Sequence, residues 1–130
     1  MTDGAARDIE ERTIDYAVRA VALSKARRDS GDTAAVILAR QFLRSATSVG
    51  ANVAEAQSAE SRADFVHKCA VARKEARESL FWLRVLERSG LMARERLSPL
   101  MQETDELHKI LTTIILRTKE GTARTQAGDA

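Results

Sequence analysis

Residues 33–57 carry apolar or small side chains at alternating three- and four-residue steps: Val36, Ala39, Phe42 or Leu43, Ala46, Val49 or Gly50, and Val53. This is a heptad seam, the signature of a helix that buries one stripe against other helices. The pattern recurs further along. Phe65, Cys69, Ala72, Ala76, Ser79 or Leu80, Leu83 and Leu86 form a second seam, and Leu100, Thr104, Leu107, Leu111, Ile114 and Thr118 form a third. With one proline and six glycines in 130 residues, the chain cannot punctuate the many short strands of a sandwich or barrel. All-β architectures are excluded, and the length suits one domain.

The breakers that remain set the boundaries. A first helix runs roughly from Arg7 to Arg28 and ends in Asp29-Ser30-Gly31-Asp32, with Lys25, Arg27 and Arg28 opposing the negative end of its dipole. The second runs from about Thr33 to Gln57. The third opens at Ser61-Arg62-Ala63-Asp64, where Ser61 caps backbone N–H groups and Asp64 serves as a carboxylate variant of the capping box; Arg88-Ser89-Gly90 closes it. For the fourth, Ser98 is the expected cap and Pro99 the first helical residue, after a short turn from Ala93 to Leu97. Gly31, Gly90 and Gly121 are read as helix stops, which gives one domain over 1–121 and a disordered tail over 122–130. Short connections around Gly31, Ala59 and Gly90 place consecutive helices side by side. The expected fold is all-α, an antiparallel up-down-up-down four-helix bundle.

Two helices carry more apolar surface than a seam requires: Val66, Ala70, Phe81, Trp82 and Val85 on the third, and Ile110, Ile115 and Leu116 on the fourth. Either a wide core-facing stripe takes them in or they form a subunit interface. Phe81 and Trp82 are adjacent, about 100° apart on the helix, so they do not both reach the centre of one bundle. Phe81, Trp82 and Val85 are therefore the interface candidates.

Chemistry is harder to find. Twenty-one Lys and Arg, 16 of them Arg, against nineteen Asp and Glu leave a net charge of +2, which by itself nominates no partner. The lone Cys69 has no second cysteine for a disulfide and sits on a seam, so it reads as core packing. A polar opening segment and a longest apolar run of only Ala34 to Ala39 lead to a cytoplasmic expectation, without a membrane anchor. Asp64-Phe65-Val66-His67 and Asp105-Glu106-Leu107-His108 loosely match the carboxylate-x-x-His pairs of a di-iron bundle, with Glu55 as a further ligand. In a hairpin about Gly90, however, the two histidines fall roughly 18 Å apart along the bundle. No metal, cofactor or catalytic residue is assigned, and a metalloenzyme ranks last among the functions.

The second helix also carries a polar stripe beside its apolar one. Gln41, Ser45, Ser48, Asn52 and Glu55 recur at heptad spacing with Arg44 alongside, while Ala39, Ala46, Gly50 and Ala54 allow a close helix approach. Three readings stay open for the stripe. It is solvated, or Asn52 and Glu55 bond to Arg73, Lys74, Glu75 or Arg77 on the third helix, or Arg44, Arg73, Lys74 and Arg77 hold a phosphate or carboxylate.

The run from Gln41 to Ala56 (QFLRSATSVGANVAEA), with Ala63-Asp64-Phe65-Val66-His67-Lys68, Lys74-Glu75-Ala76-Arg77-Glu78 and Trp82-Leu83, resembles the four helix bundle protein family. That family is also called the intervening-sequence protein family, after members encoded within insertions in bacterial large-subunit ribosomal RNA genes. The resemblance spans nearly all of Arg7 to Lys119. It implies an up-down bundle, commonly assembled as a ring-shaped homopentamer, and no defined reaction. A non-catalytic oligomeric scaffold or adaptor is therefore the leading expectation. A distant relative assists reverse transcription in diversity-generating retroelements, which makes RNA or DNA the second candidate partner. Five copies of a modest Arg-rich surface would then act together on a polyanion.

Overall fold

The computed structural model describes residues 3–129. Among them there are four helices and no strand: α1 (Asp3–Arg28), α2 (Thr33–Ala56), α3 (Arg62–Arg88) and α4 (Arg94–Asp129). Each helix packs on the next in sequence, whereas α1 and α4 meet sparingly.

Local chemistry sets the joints. Gly31 and Gly90 take φ of +76° and +74°, the left-handed conformation that ends a helix without the penalty of a Cβ. At Gly90 the amides of Leu91 and Met92 both reach back to the Leu86 carbonyl at 3.2 Å. Asp32 caps α2 by accepting from the Ala35 N–H at 2.9 Å. At α3, Ser61 accepts from the Asp64 N–H at 3.0 Å. The Asp64 carboxylate reaches back to the Glu60 N–H at 3.3 Å, one residue earlier than a capping box requires.

The heptad stripes form the core. Ile9, Thr13, Tyr16, Ala20 and Leu23 come from α1, and Ala39, Phe42, Ala46, Val49 and Val53 from α2. Cys69, Ala72, Ala76, Leu83 and Leu86 come from α3, and Leu97, Leu100, Leu107, Leu111 and Ile115 from α4. Burying each large aliphatic side chain stabilises the fold by about 1.5–3 kcal/mol. Ala35 takes the buried place expected for Val36, and Ala54 is exposed rather than part of the close-contact stripe. The surplus apolar set divides. Ile115 is core, and Val66, Ala70, Trp82 and Ile110 pack against the core at its edge, but Phe81 and Leu116 stay exposed.

The fourth helix departs from expectation at both ends. It starts at Arg94, so Ser98 is not its cap and Pro99 lies inside it. Leu97 and Leu100 are both buried and continue the stripe of Thr104 and Leu107 through the proline. Their burial outweighs the missing N–H, and Pro99 itself faces solvent. Gly121 does not stop the helix either. Residues 122–129 continue it where a disordered tail was expected, with Thr122 and Thr125 bonding back to the carbonyls of Thr118 and Gly121. Arg62 at the start of α3 reaches the Thr125 hydroxyl at 3.4 Å. Residue 130 lies outside the described residues.

Candidate functional site

The polar stripe of α2 is divided among three environments. Ser45 is fully buried and hydrogen-bonds the Ser79 hydroxyl at 2.8 Å; Ser79 in turn donates to the Glu75 carbonyl at 2.9 Å. In the same part of the core the Tyr16 hydroxyl meets Thr104, which donates to the Leu100 carbonyl at 2.7 Å. Ser79 and Thr104 both favour the ionised form of Tyr16, but burial dominates and pushes its hydroxyl up to about 12. All four helices thus place a hydroxyl in the core, and each hydroxyl has a partner.

The rest of the stripe lies nearer the surface. Asn52 donates to the Ser48 carbonyl at 2.9 Å and the Ser48 hydroxyl at 3.1 Å, so it serves its own helix instead of reaching α3. Glu55 pairs with Lys68 at 2.8 Å, and not with Arg73, Lys74 or Arg77. Arg44 lies within 3.4 Å of the Gln41 side-chain oxygen, pairs with Glu78, and approaches Glu75 at 3.6 Å. Trp82 donates its indole N–H to the same Glu78 at 3.0 Å. Among the described residues neither Asn52 nor Glu55 makes the expected bond to Arg73, Lys74, Glu75 or Arg77; α2 and α3 are joined instead by Arg44 with Glu75 and Glu78, by Glu55 with Lys68 and by the buried serine pair.

Arg73, Lys74 and Arg77 are placed away from α2. Arg73 is turned toward α4, its guanidinium 3.5 Å from the Thr112 hydroxyl, and Lys74 and Arg77 are exposed. A single anion held by Arg44, Arg73, Lys74 and Arg77 together does not fit this division. Farther along the same side of α3, Arg77, Arg84 and Arg88 rim a depression of about 620 Å³ floored by Leu80, Phe81 and Val85. Among the described residues, none of these three arginines has a carboxylate within 4 Å. Phe81 is 55% exposed and meets Trp82 edge-on, with ring centroids 4.9 Å apart at 83°. His108 on α4 is held below the usual histidine range by burial first, then by the charges of Arg77 and Arg73.

Two further surfaces escaped the sequence reading. A groove of about 1020 Å³ lies between α1 and α4, with Ile9, Ile110 and Ile114 at its base and Arg62, Lys109 and Arg117 on its rim. On the outside of α1, Ile14, Val18 and Val21 are 53%, 62% and 44% exposed. Their spacing of four and three residues was available in the sequence, offset from the core stripe of Thr13, Tyr16 and Ala20. Above the groove, Arg12 ties α1 to α4 by pairing with Glu103 at 2.6 Å and Glu106 at 2.7 Å.

For metal chemistry, His67 is exposed and Glu55 is engaged by Lys68. Among the described residues no three His, Cys, Asp or Glu side chains converge. Cys69 is buried, and burial pushes its thiol up to about 11, away from the range of an activated nucleophile.

Residues 8–113 match the family described as 23S rRNA-intervening sequence protein. The chain belongs to that family. The match takes in α2, α3 and most of α1, as well as the first twenty residues of α4. Among solved structures, a protein of unknown function from the S23 ribosomal protein family of Bacteroides thetaiotaomicron is similar at 35% identity and a TM-score of 0.77. The similarity covers 85% of this chain and 97% of that one. No curated protein matches. The 23S rRNA-intervening sequence protein family thus brings a shared four-helix architecture, and its solved relative carries no assigned reaction. Among the described residues of this member, no helix is long and apolar enough to cross a membrane.

Proposed function

We propose that the chain is a non-catalytic building block of a homo-oligomer, with a ring-shaped pentamer as the assembly, acting as a scaffold or adaptor in the cytoplasm. The observation that carries this reading is the α1 stripe. Ile14, Val18 and Val21 occupy one outward face and stay largely exposed in the single chain. A contiguous apolar run of this kind marks a contact surface more often than a solvated one. Of the three residues expected at an interface, Trp82 is half-buried and tied to Glu78, and Val85 is half-buried, which leaves Phe81 as the exposed one. The α1 stripe is the longer run, and packing it head-to-tail on a different surface of the next chain forms a ring where the rotation between chains closes.

The same reading takes the bundle as antiparallel. Support comes from the pairing order of its contacts: Ser45 with Ser79 and Glu55 with Lys68, then Arg73 with Thr112 and Arg62 with Thr125. Light scattering coupled to size exclusion tests the assembly. A mass near five chains at micromolar concentration is expected, and Val18→Glu should reduce it. A monomer at that concentration overturns the reading.

A second reading, a nucleic-acid-binding accessory, is favoured by one observation. Lys74, Arg77, Arg84 and Arg88 stand exposed on one side of α3 without carboxylate partners among the described residues, although the whole chain carries only +2. Salt-sensitive retention of the purified protein on immobilised RNA or DNA tests it, and absence of retention at low salt removes it.

A further inference from the structure

Charge on α3 is sorted by side. Glu75 and Glu78 turn toward α2, where Arg44 meets them, and Lys68 meets Glu55 on the same flank. The opposite flank carries Arg73, Lys74, Arg77, Arg84 and Arg88 with no acidic residue between them on that face. The helix dipole accounts for Arg88, in the last turn, but not for the four cations that precede it. Arg73 with Arg77 and Arg84 with Arg88 are like-charge pairs at four-residue spacing, an arrangement that destabilises an isolated helix. Lys74 has Glu78 four residues on and Arg84 has Glu87 three on, so helix stability gives a reason for those two cations but none for Arg73 and Arg77. Along it, Arg73, Arg77, Arg84 and Arg88 are spaced by about 6, 10 and 6 Å, one or two turns apart.

In the widest gap, between Arg77 and Arg84, stands Phe81. Its ring is 55% exposed and braced edge-on by Trp82, which the bond to Glu78 holds in place. Cations at regular intervals with an exposed, braced aromatic ring among them match the needs of a strand with phosphates along its length and unpaired bases to stack. An acidic polypeptide would satisfy the arginines, but its carboxylate side chains carry no aromatic face for the ring to stack on. A duplex would satisfy the arginines but keeps its bases stacked inside.

We infer that the outward face of α3 binds single-stranded nucleic acid, with Lys74, Arg77, Arg84 and Arg88 on the phosphates and Phe81 stacked on a base. This deepens the second reading above and rests on it. The electrostatic part is independent of base identity, so little sequence preference follows.

Fluorescence anisotropy with a labelled 20-nucleotide strand of mixed sequence, as RNA and as DNA, tests the assignment on the full chain in its native oligomer. At low salt both strands should bind, and log affinity should fall with log salt at a slope of about −3, for four phosphates at 0.7 each. Arg77→Glu with Arg84→Glu should weaken binding at least tenfold and bring the slope to about −1.4. Phe81→Ala should weaken single-strand binding about tenfold while leaving a duplex of the same sequence unaffected, and Phe81→Trp should restore it. Arg40→Glu, an exposed change on α2, serves as the control. Circular dichroism and light scattering should show every variant folded and of unchanged size, and Arg77→Gln with Arg84→Gln replaces the reversal if it is not.

Absence of binding at low salt overturns both this assignment and the reading beneath it. Binding that ignores the arginine variants overturns the α3 face alone. Indifference to Phe81→Ala, or equal affinity for polyglutamate of matched charge, overturns the single-strand assignment. RNA binding more tightly than DNA would place a 2′-hydroxyl contact on the same face and supports it.

Discussion

Gly50 of α2 lies against Thr13 of α1 so closely that a Cβ at position 50 would meet the Thr13 side chain and its carbonyl oxygen at 3.3 Å. Alanine is worth roughly 1 kcal/mol more than glycine inside a helix, so Gly50→Ala would stabilise α2 were the site open. Here one of the atoms met is backbone and cannot rotate away. Crowding of a packed contact costs about 1–3 kcal/mol. The expected net effect of Gly50→Ala is a loss of about 1 kcal/mol, read as a lower urea midpoint with an unchanged slope. A gain would mean that the two helices separate freely at this level.

The hydroxyl layer makes a pH prediction. The protonated form of Tyr16 is the neutral one, and the folded chain holds that proton more tightly, with a pKa of about 12 against 10 when exposed. The contribution to stability is therefore fully present below pH about 10 and is lost as pH rises through 12, amounting to about 3 kcal/mol. As the chain has a single tyrosine, phenolate absorbance reports it without ambiguity. Native protein should titrate about two pH units above the urea-unfolded chain. Tyr16→Phe should remove the phenolate signal together with the loss of stability between about pH 10 and 12, and cost about 1 kcal/mol at neutral pH, because Thr104 retains its bond to Leu100. Coincident titrations of native and unfolded protein would contradict the buried placement.

Cys69 should be chemically silent while the chain is folded. Its side chain is buried on the α3 stripe and its thiol is pushed up to about 11, so little thiolate exists at pH 8 and that little is shielded. A thiol reagent such as Ellman's should label native protein over hours and unfolded protein within seconds, at one equivalent per chain. Rapid native labelling would show that α3 opens locally at this point.

What the sequence made legible follows from which forces act locally. The seam of α2 from Ala39 on, that of α3 from Cys69 on, the cap at Ser61 and the glycines at 31 and 90 are local signals, and the structure places them as read, whereas Ala35 replaces Val36 and Asp64 reaches one residue past the capping box. The α2 polar stripe was visible as a period but not as a set of partners. Whether Glu55 meets Lys68 or Arg73 depends on how α3 is rotated about its axis, which spacing along α2 does not encode. The α1 stripe was missed for a related reason. Ile14, Val18 and Val21 repeat with the same period as Thr13, Tyr16 and Ala20, and only packing shows which set faces inward. The α3 cations were seen only as far as Arg77; a helical projection carried on to Arg88 would have shown the row.

The start of α4 offers the sharpest contrast between the local and the tertiary signal. Read locally, Ser98 caps a helix that begins at Pro99. In the structure the helix begins at Arg94, and the ring of Pro99 occupies a position where an N–H would bond the Glu95 carbonyl. Pro99 is exposed, so alanine there gains the missing bond and opens no cavity. Against this stands the lower entropy of an unfolded chain containing proline, worth about 0.4–1 kcal/mol, while proline in a helix interior costs about 3 kcal/mol. Pro99→Ala should therefore raise stability by about 1 kcal/mol or more, and Ser98→Ala, also at an exposed helical position, should change it little. The local reading demands the reverse. Ser98→Ala would then lose a cap worth about 1 kcal/mol, and Pro99→Ala would lose a residue suited to the first helical position. Urea unfolding of the two variants decides between the two starts, because the signs are opposed at Pro99 and only the local reading makes Ser98 costly.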